Sequence, residues 1–355
     1  MSREAQLYKE SIDLLKQLIA TPSFSKEEDK TAIILQRYLE AKGVVVNREM
    51  NNVWAVNQYF DYSKPNLLLN SHHDTVKPNP GFTRPAFEPY EADGKLFGLG
   101  SNDAGGCLVS LIAAFLFYHD QPNLKYNIVL AATAEEEISG ANGIERLLPL
   151  LPKPVCAIVG EPTGTNLAIA EKGLLVLDVT VSGKAGHAAR AEGESALYKA
   201  MEAINWIRTY QFPKISEMLG PVKMTVTSIN TPNKAHNVVP DQCSFIVDVR
   251  VTDVYTHEEI LAVIRENIDG DVQPRSMRLR SSSIPVAHPL VRAGMELGKT
   301  TYGSPTSSDM AFIPVPALKT GPGESARSHT ADEFIYLEEI ENGIQYYIAL
   351  LKALV

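Results

Sequence analysis

Four short segments of the sequence carry acidic and imidazole side chains of the types that bind metals and move protons. They are residues 70–74, 102–106, 135–137 and 160–162, and residues 328–330 form a fifth candidate near the other end of the chain. Histidines with several carboxylates and no cysteine suit zinc, cobalt or manganese rather than a structural thiolate site. Two histidines and three carboxylates are enough for two cations about 3.5–4 Å apart that share one carboxylate. Water activated there still needs a general base, so one further carboxylate should stay off the metals.

Apolar strands are predicted directly before three of these segments. Strands are expected at residues 44–46, 67–69, 128–132 and 157–159, with helices at 104–117 and 141–148. This alternation predicts an α/β fold in which helices cover a sheet. In open α/β sheets, ligands bind beyond the carboxyl ends of the strands, so the segments are expected to converge on one crevice.

The amino-terminal part is predicted to contain two helices. The first is amphipathic and ends before Pro22. Ser25, with Glu28 three residues later, matches a capping box at the start of the second helix. Gly43 is the expected residue after its end.

The middle of the chain shows a different order of elements. Strands are predicted at residues 174–181, 223–229, 243–251 and 277–282, and helices at 195–209 and 257–267. This βαββαβ order is a ferredoxin-like unit that is able to fold on its own. We therefore expect a catalytic domain formed by residues 1–172 and 281–355, with a smaller domain, residues 173–280, inserted between them.

Composition narrows the class of protein. The chain has 355 residues with 33 basic and 42 acidic side chains, a net charge of -9, and no basic stripe. Nucleic acid and anionic membranes are therefore not expected as partners. The amino terminus does not resemble a signal peptide, the apolar runs are short for a membrane span, and the three cysteines are odd in number and widely separated. Together these features predict a cytoplasmic protein.

The ordered set of motifs resembles the di-zinc aminoacylases, a family that includes acetylornithine deacetylase, succinyl-diaminopimelate desuccinylase and carboxypeptidase G. The resemblance runs over nearly the whole chain. It implies an exopeptidase-like catalytic domain with two divalent cations, expected to be Zn²⁺, with Co²⁺ or Mn²⁺ as alternatives. It also implies that the inserted domain is a lid and dimerisation domain, so a homodimer is expected.

The resemblance assigns roles to individual residues. Asp74 would orient a histidine ligand from behind, and Glu136 would be the general base. Glu135 stands where the family usually has aspartate. The family's bridging aspartate is often followed by a cis peptide, which falls here on Asp103–Ala104. The sequence leaves open which metal Glu161 binds. The implied metal ligands are His72, Asp103, Glu137, Glu161 and His329.

Three residues of the inserted domain have implied roles toward the substrate. His187 would stabilise the oxyanion, in its own subunit or in a partner subunit. Asn237 and Arg250 would bind the substrate, and the planar guanidinium of Arg250 suits a carboxylate.

The resemblance favours a hydrolase that removes an acetyl or succinyl group from an amino acid. Residues 320–334 are most similar to acetylornithine deacetylase, which favours N-acyl-ornithine or N-acyl-citrulline and a role in arginine biosynthesis. Alternatives are succinyl-diaminopimelate desuccinylase, a dipeptidase or carboxypeptidase with the same site, and a non-catalytic binding protein with this fold. A serine hydrolase is disfavoured because the sequence has no Gly-x-Ser-x-Gly motif.

Overall fold

The computed structural model of the protein describes residues 2–354, which divide into two compact units. The second unit comprises Ala170–Ser282 and Gly303–Ser307, and the first comprises the other described residues. The α-helices are α1 (Arg3–Ile19), α2 (Asp29–Ala41), α3 (Gly106–His119), α4 (Ile144–Leu147), α5 (Ala196–Thr209), α6 (His257–Asn267), α7 (Pro289–Glu296) and α8 (Leu337–Lys352).

The strands up to the end of the inserted segment are β1 (Val46–Glu49), β2 (Asn52–Val56), β3 (Asn66–His72), β4 (Tyr90–Ala92), β5 (Lys95–Phe97), β6 (Asn127–Thr133), β7 (Pro154–Val159), β8 (Leu167–Glu171), β9 (Gly173–Ser182), β10 (Gly186–His187), β11 (Lys223–Asn230), β12 (Val238–Val239), β13 (Gln242–Val251) and β14 (Asp271–Pro274). The remaining strands are β15 (Ser282–Ser283), β16 (Thr301–Ser304), β17 (Ala317–Lys319) and β18 (Phe334–Tyr336).

A nine-stranded sheet forms the centre of the fold, in the order β1-β2-β6-β3-β7-β17-β8-β15, with β16 paired to β8. Its middle strands β6, β3, β7 and β17 run parallel to one another. Every residue of β6 is buried, which requires that both faces of the sheet are covered. The α/β sheet predicted from the alternation of strands and helices is therefore present.

Helix α3 is the main covering element on one face of this sheet. It is almost entirely apolar and buried, and it packs on β3 and β6 and against α1 and α8. The stretch Ser101–His119 is long and apolar enough to cross a membrane. However, 89% of its most apolar part is buried inside the fold, as is usual for a helix in a protein core. On the other face, Ile144 and Leu147 of α4 join the core formed by Leu68, Val129 and Ala157.

The predicted capping box at the start of α2 is wrong. The helix begins at Asp29 with Glu28 as its N-cap residue, and no side chain caps it. Ser25 instead donates a hydrogen bond to Asp74 Oδ2 at 2.7 Å, and the buried Glu28 carboxylate accepts from the backbone N–H of Glu135. The local pattern fitted a cap, but partners far along the chain engage both side chains. The expected glycine after the helix is confirmed, since Gly43 has a φ of 78°.

The second unit contains a four-stranded antiparallel sheet in the order β11-β13-β9-β14. Helices α5 and α6 pack on one face, because their apolar residues share a core with alternate residues of β9 and β13. The four strands of this sheet and the two helices follow one another as βαββαβ, as the sequence predicts. The predicted last strand at residues 277–282 is wrong: β14 forms at Asp271–Pro274, where Val272 is buried in that core.

Candidate metal centre

Three parallel strands present acidic and imidazole side chains at one edge of the central sheet. β3 ends at His72, β6 ends at Thr133 just before residues 135–137, and β7 ends at Val159, two residues before Glu161. In the sheet register His72 pairs with Thr133. The carboxyl ends therefore lie side by side, because parallel strands in register end at the same edge.

Asp103 lies between two histidines that are far apart in the sequence. Its Oδ1 is 3.3 Å from His72 Nε2, and its Oδ2 is 3.6 Å from His329 Nε2. Glu161 Oε1 lies 3.7 Å from His72 Nε2, while Glu137 Oε2 lies 2.9 Å from His329 Nε2. The carboxylate of Asp103 thus divides the cluster into a His72–Glu161 side and a His329–Glu137 side. This geometry places Glu161 beside His72, which the sequence left open.

The turn that carries Asp103 has an unusual backbone. The peptide bond Asp103–Ala104 is cis, as predicted, and it lies directly before α3. The backbone N–H groups of Gly100, Asn102 and Asp103 all donate to the Glu333 carboxylate, at 3.1, 2.8 and 2.9 Å. Sequence reasoning missed Glu333, because no local pattern indicates a partner 230 residues away.

The residues present fit two divalent cations. His72 Nε2 is buried and has no hydrogen-bond partner, so this nitrogen is available to a metal ion in the cluster. Ligand atoms of His72, Asp103 and Glu137, and of His72, Glu136 and Glu161, lie within 4.8 Å of one another. The donor set is nitrogen and oxygen without thiolate, which suits zinc, cobalt or manganese. Several carboxylates in a partly buried cluster also require positive charge to offset their desolvation and mutual repulsion.

His72 is fixed from behind by Asp74. His72 Nδ1 is 3.0 Å from the backbone carbonyl oxygen of Asp74 and 3.5 Å from its carboxylate Oδ1. The shorter contact is to the main chain, so the carboxylate is the weaker of the two orienting groups. A proton held on Nδ1 leaves Nε2 available to a metal, which is the tautomer that a ligand on this side needs.

The Asp74 carboxylate has a second use that the sequence did not indicate. The backbone N–H of Glu136 donates to its Oδ1 at 3.0 Å, and that of Glu137 donates to its Oδ2 at 3.2 Å. Burial would raise the pKa of Asp74, but the hydrogen bond and charge of His72 and the hydrogen bond from Ser25 hold this pKa low. One carboxylate therefore fixes both a histidine and the segment that carries the candidate base.

Glu136 lies at the same cluster. Its Oε2 is 3.9 Å from His72 Nε2, and burial raises the pKa of Glu136 well above its usual range. The position of its side chain is compatible with a ligand or with a base, since Glu136 and Glu161 are both within reach of His72. The assignment of Glu136 as the base and Glu161 as the ligand therefore depends on the resemblance to the di-zinc aminoacylases.

The three predicted substrate residues lie in the second unit. His187 is on β10, which pairs with β12, and the exposed Asn237 directly precedes β12. The N–H of Ala188 donates to Asn237 O at 2.9 Å, so His187 and Asn237 are neighbours on one ribbon. Arg250 is on β13, where its guanidinium forms a bidentate pair with Asp248 at 2.9 and 3.1 Å. The roles of these residues stay predictions.

Metal binding is expected to release protons and to strengthen as the pH rises. Without metal, the hydrogen bond to Glu137 raises the pKa of His329 to about 9, and burial raises the pKa of Glu161 to about 8. Burial opposes protonation of His72, but the carboxylates around it raise its pKa well above the usual value. All three groups therefore hold a proton at pH 7, and a metal ligand must lose it. Apparent zinc affinity should therefore increase as the pH rises from 7 to 9.

Calorimetric titration of Zn²⁺ into the metal-free protein, in buffers of different ionisation enthalpy, measures the released protons. About three protons per chain are expected at pH 7, one from each of these ligands. The Glu161→Gln variant is the matched control and should release about one fewer. Proton release near zero, together with an affinity that is constant from pH 6 to 9, would contradict this assignment.

Fold and site together define a metal-dependent hydrolase, and comparison with known proteins gives the family. The sequence model of peptidase family M20/M25/M40 matches residues 68–353, and the chain belongs to this family. A succinyl-diaminopimelate desuccinylase from Acidiphilium cryptum (strain JF-5) is 28% identical over 271 residues, which cover 72% of each chain. The protein is thus a hydrolase that acts on amide bonds.

Solved structures share the whole fold at low sequence identity. An aminopeptidase from Bacillus cereus superposes with a TM-score of 0.79 at 19% identity, covering 98% of both chains. A dinuclear metal-binding peptidase of the M20 family from Bacillus subtilis gives a TM-score of 0.75 at 16% identity, again over 98% of both chains. At these identities the likeness shows the mixed α/β fold and no finer property.

Proposed function

We propose that the protein is a two-metal hydrolase that removes an acyl group from the amino nitrogen of an amino acid. The observation that carries this proposal is the position of Asp103, whose two oxygens face His72 on one side and His329 on the other. Such a carboxylate can join two cations, and Glu136 lies in the same cluster, near His72 and Glu161, as a candidate base. His72 with Glu161 would hold one cation, His329 with Glu137 would hold the other, and Asp103 would bind both.

When bound, a cation pair of this kind polarises an amide carbonyl and makes water more acidic. Glu136 would accept the proton of the attacking water at its carboxylate and pass it to the leaving amine. Its raised pKa supports this role, because a carboxylate that binds a proton more readily is the better base near neutral pH. Asp74 would keep Glu136 and Glu137 in place through their backbone N–H groups.

Three classes of substrate are candidates. The segment 320–334 favours N-acyl-ornithine or N-acyl-citrulline, and with it a role in arginine biosynthesis. The desuccinylase relative supports N-succinyl-diaminopimelate as the second candidate. A short peptide is the third, because the family to which the chain belongs is a peptidase family. Homodimerisation through the second unit and a cytoplasmic location stay predictions.

Hydrolysis of a small panel by the zinc-loaded protein decides between these candidates. The panel holds acetyl- and succinyl-ornithine, acetyl- and succinyl-citrulline, succinyl-diaminopimelate and a dipeptide. We expect one acylated amino acid to be cleaved with a kcat/KM at least about 100-fold above that of the dipeptide, and a chelator to abolish this activity. Equal or faster cleavage of the dipeptide would contradict deacylation while leaving an amide hydrolase.

A further inference from the structure

The backbone of the segment that carries Glu136 is held by two buried carboxylates. The N–H of Glu135 donates to Glu28 Oε1 at 3.1 Å, while those of Glu136 and Glu137 donate to Asp74 at 3.0 and 3.2 Å. Three successive N–H groups are thus satisfied by acidic side chains. Oriented N–H groups of this kind form a concave site for negative charge.

Glu135 adopts a backbone conformation that needs support. Its φ is 55°, in the left-handed region that non-glycine residues avoid. The segment bends there, directly after β6, and the bend sets the direction in which Glu136 leaves the sheet edge. A partner for the Glu135 N–H therefore determines where the carboxylate of Glu136 lies.

Glu28 lies outside the candidate metal ligands, so its bond to Glu135 can be tested apart from metal binding. It is 0% exposed and belongs to neither group of candidate metal ligands. Its Oε1 also accepts from the backbone N–H of Lys26 at 2.6 Å, and its Oε2 accepts from Asn51 Nδ2 at 2.8 Å. A buried carboxylate is costly unless its oxygens are bonded in this way, so the site is built around it. Asp74, by contrast, also contacts His72, which makes its removal ambiguous.

We propose that Glu28 is a positioning residue for the general base. By accepting the Glu135 N–H it fixes the bend before Glu136 and holds the base at the reacting water. This inference rests on the proposed function, since it takes Glu136 as the base. It assigns to the Ser25–Glu28 segment a role in catalysis without contact to substrate or metal.

Two substitutions at Glu28 separate the effect of side-chain length from the effect of charge. Glu28→Gln keeps the length of the side chain and an oxygen that accepts from Lys26 and Glu135, whereas Glu28→Asp keeps the charge but is one carbon shorter. We expect Glu28→Asp to lower kcat by about 10- to 100-fold, because small misplacement of a catalytic group has effects of this size. Glu28→Gln should stay within about 3-fold of the wild type. KM and the two metal ions per chain, counted by elemental analysis, should be unchanged in both variants.

A control for general loss of stability lies at the other end of the same strand. Asn57 Oδ1 accepts from the backbone N–H of Ile128 at 2.8 Å, a bond of the same kind at the start of β6. Asn57→Ala should lower Tm and leave kcat close to that of the wild type. If Glu28→Asp and Asn57→Ala lower Tm equally and neither lowers kcat, Glu28 is only structural and the inference fails.

The other outcomes are also decisive. A larger loss of kcat in Glu28→Gln than in Glu28→Asp would mean that charge, not reach, is what matters, and would overturn the inference. Loss of metal from either variant would assign Glu28 to metal binding instead. The same assays include the wild type and Glu136→Gln. A wild type without activity, or an active Glu136→Gln, would reject the proposed function itself.

Discussion

Replacing Glu136 with glutamine should lower kcat by about two to four orders of magnitude while the protein keeps both metal ions. Glutamine preserves the volume and the backbone bond to Asp74 but accepts no proton from water. The amide also has no negative charge, whereas an ionised Glu136 carboxylate binds the proton that the water gives up. The loss should therefore appear in kcat, with little change in KM.

Steady-state kinetics on the substrate that the panel identifies, together with elemental analysis, measures this effect. Glu338→Gln, the same substitution at an exposed position in the first turn of α8, is the control and should behave as the wild type. If Glu136→Gln instead loses one metal, then Glu136 is a ligand, which its distance to His72 also permits. A near-native kcat with both metals present would show that another group is the base.

Replacing Asp103 with alanine should have the second large effect. Among the described residues, Asp103 is the side chain whose two oxygens lie near both His72 and His329. Its removal leaves each side of the cluster without the shared anionic ligand. We expect metal content to fall from two ions to one or none after dialysis, and kcat to fall by about three orders of magnitude or more.

The control for this variant is Asp120→Asn, which changes a half-exposed aspartate that pairs with Arg3. It should keep two metals and full activity. Comparison with Glu161→Gln tests the bridge itself. Glu161→Gln should weaken metal binding on the His72 side alone, whereas Asp103→Ala should weaken it on both sides. Retention of two tightly bound ions by Asp103→Ala would exclude a bridging role.

The sequence was most informative where neighbouring strands place residues by simple geometry. His72 and Glu161 each follow an apolar strand, and parallel strands in register end at one edge, so proximity of these side chains follows from the strand pattern alone. The late histidine, His329, lies outside any such pattern. Only the resemblance assigned it to the same site.

Local patterns failed where the partner is distant in the chain. Ser25 and Glu28 have the spacing of a capping box. In the structure Ser25 instead donates to the Asp74 carboxylate, and the Glu28 carboxylate accepts from the backbone N–H of Glu135. Glu333 gave no signal, because its three N–H partners lie on a turn more than 200 residues earlier. Spacing rules describe neighbours in sequence, and these contacts are made by tertiary structure.

The prediction of the last strand in the second unit failed for a related reason. The sequence analysis predicts a strand at residues 277–282, whereas β14 forms at Asp271–Pro274. Val272 fills a position in the core, and β14 pairs with β9 from Asp271 to Pro274. Short strands depend more on the cavity that they fill than on their own pattern.

The most direct test of the central claim is anomalous diffraction from a crystal of the zinc-loaded protein, collected at the zinc edge. Two peaks are expected in each chain, one beside His72 and Glu161 and one beside His329 and Glu137, with Asp103 between them. A single peak, or peaks away from these side chains, would contradict a two-metal hydrolase built on this site.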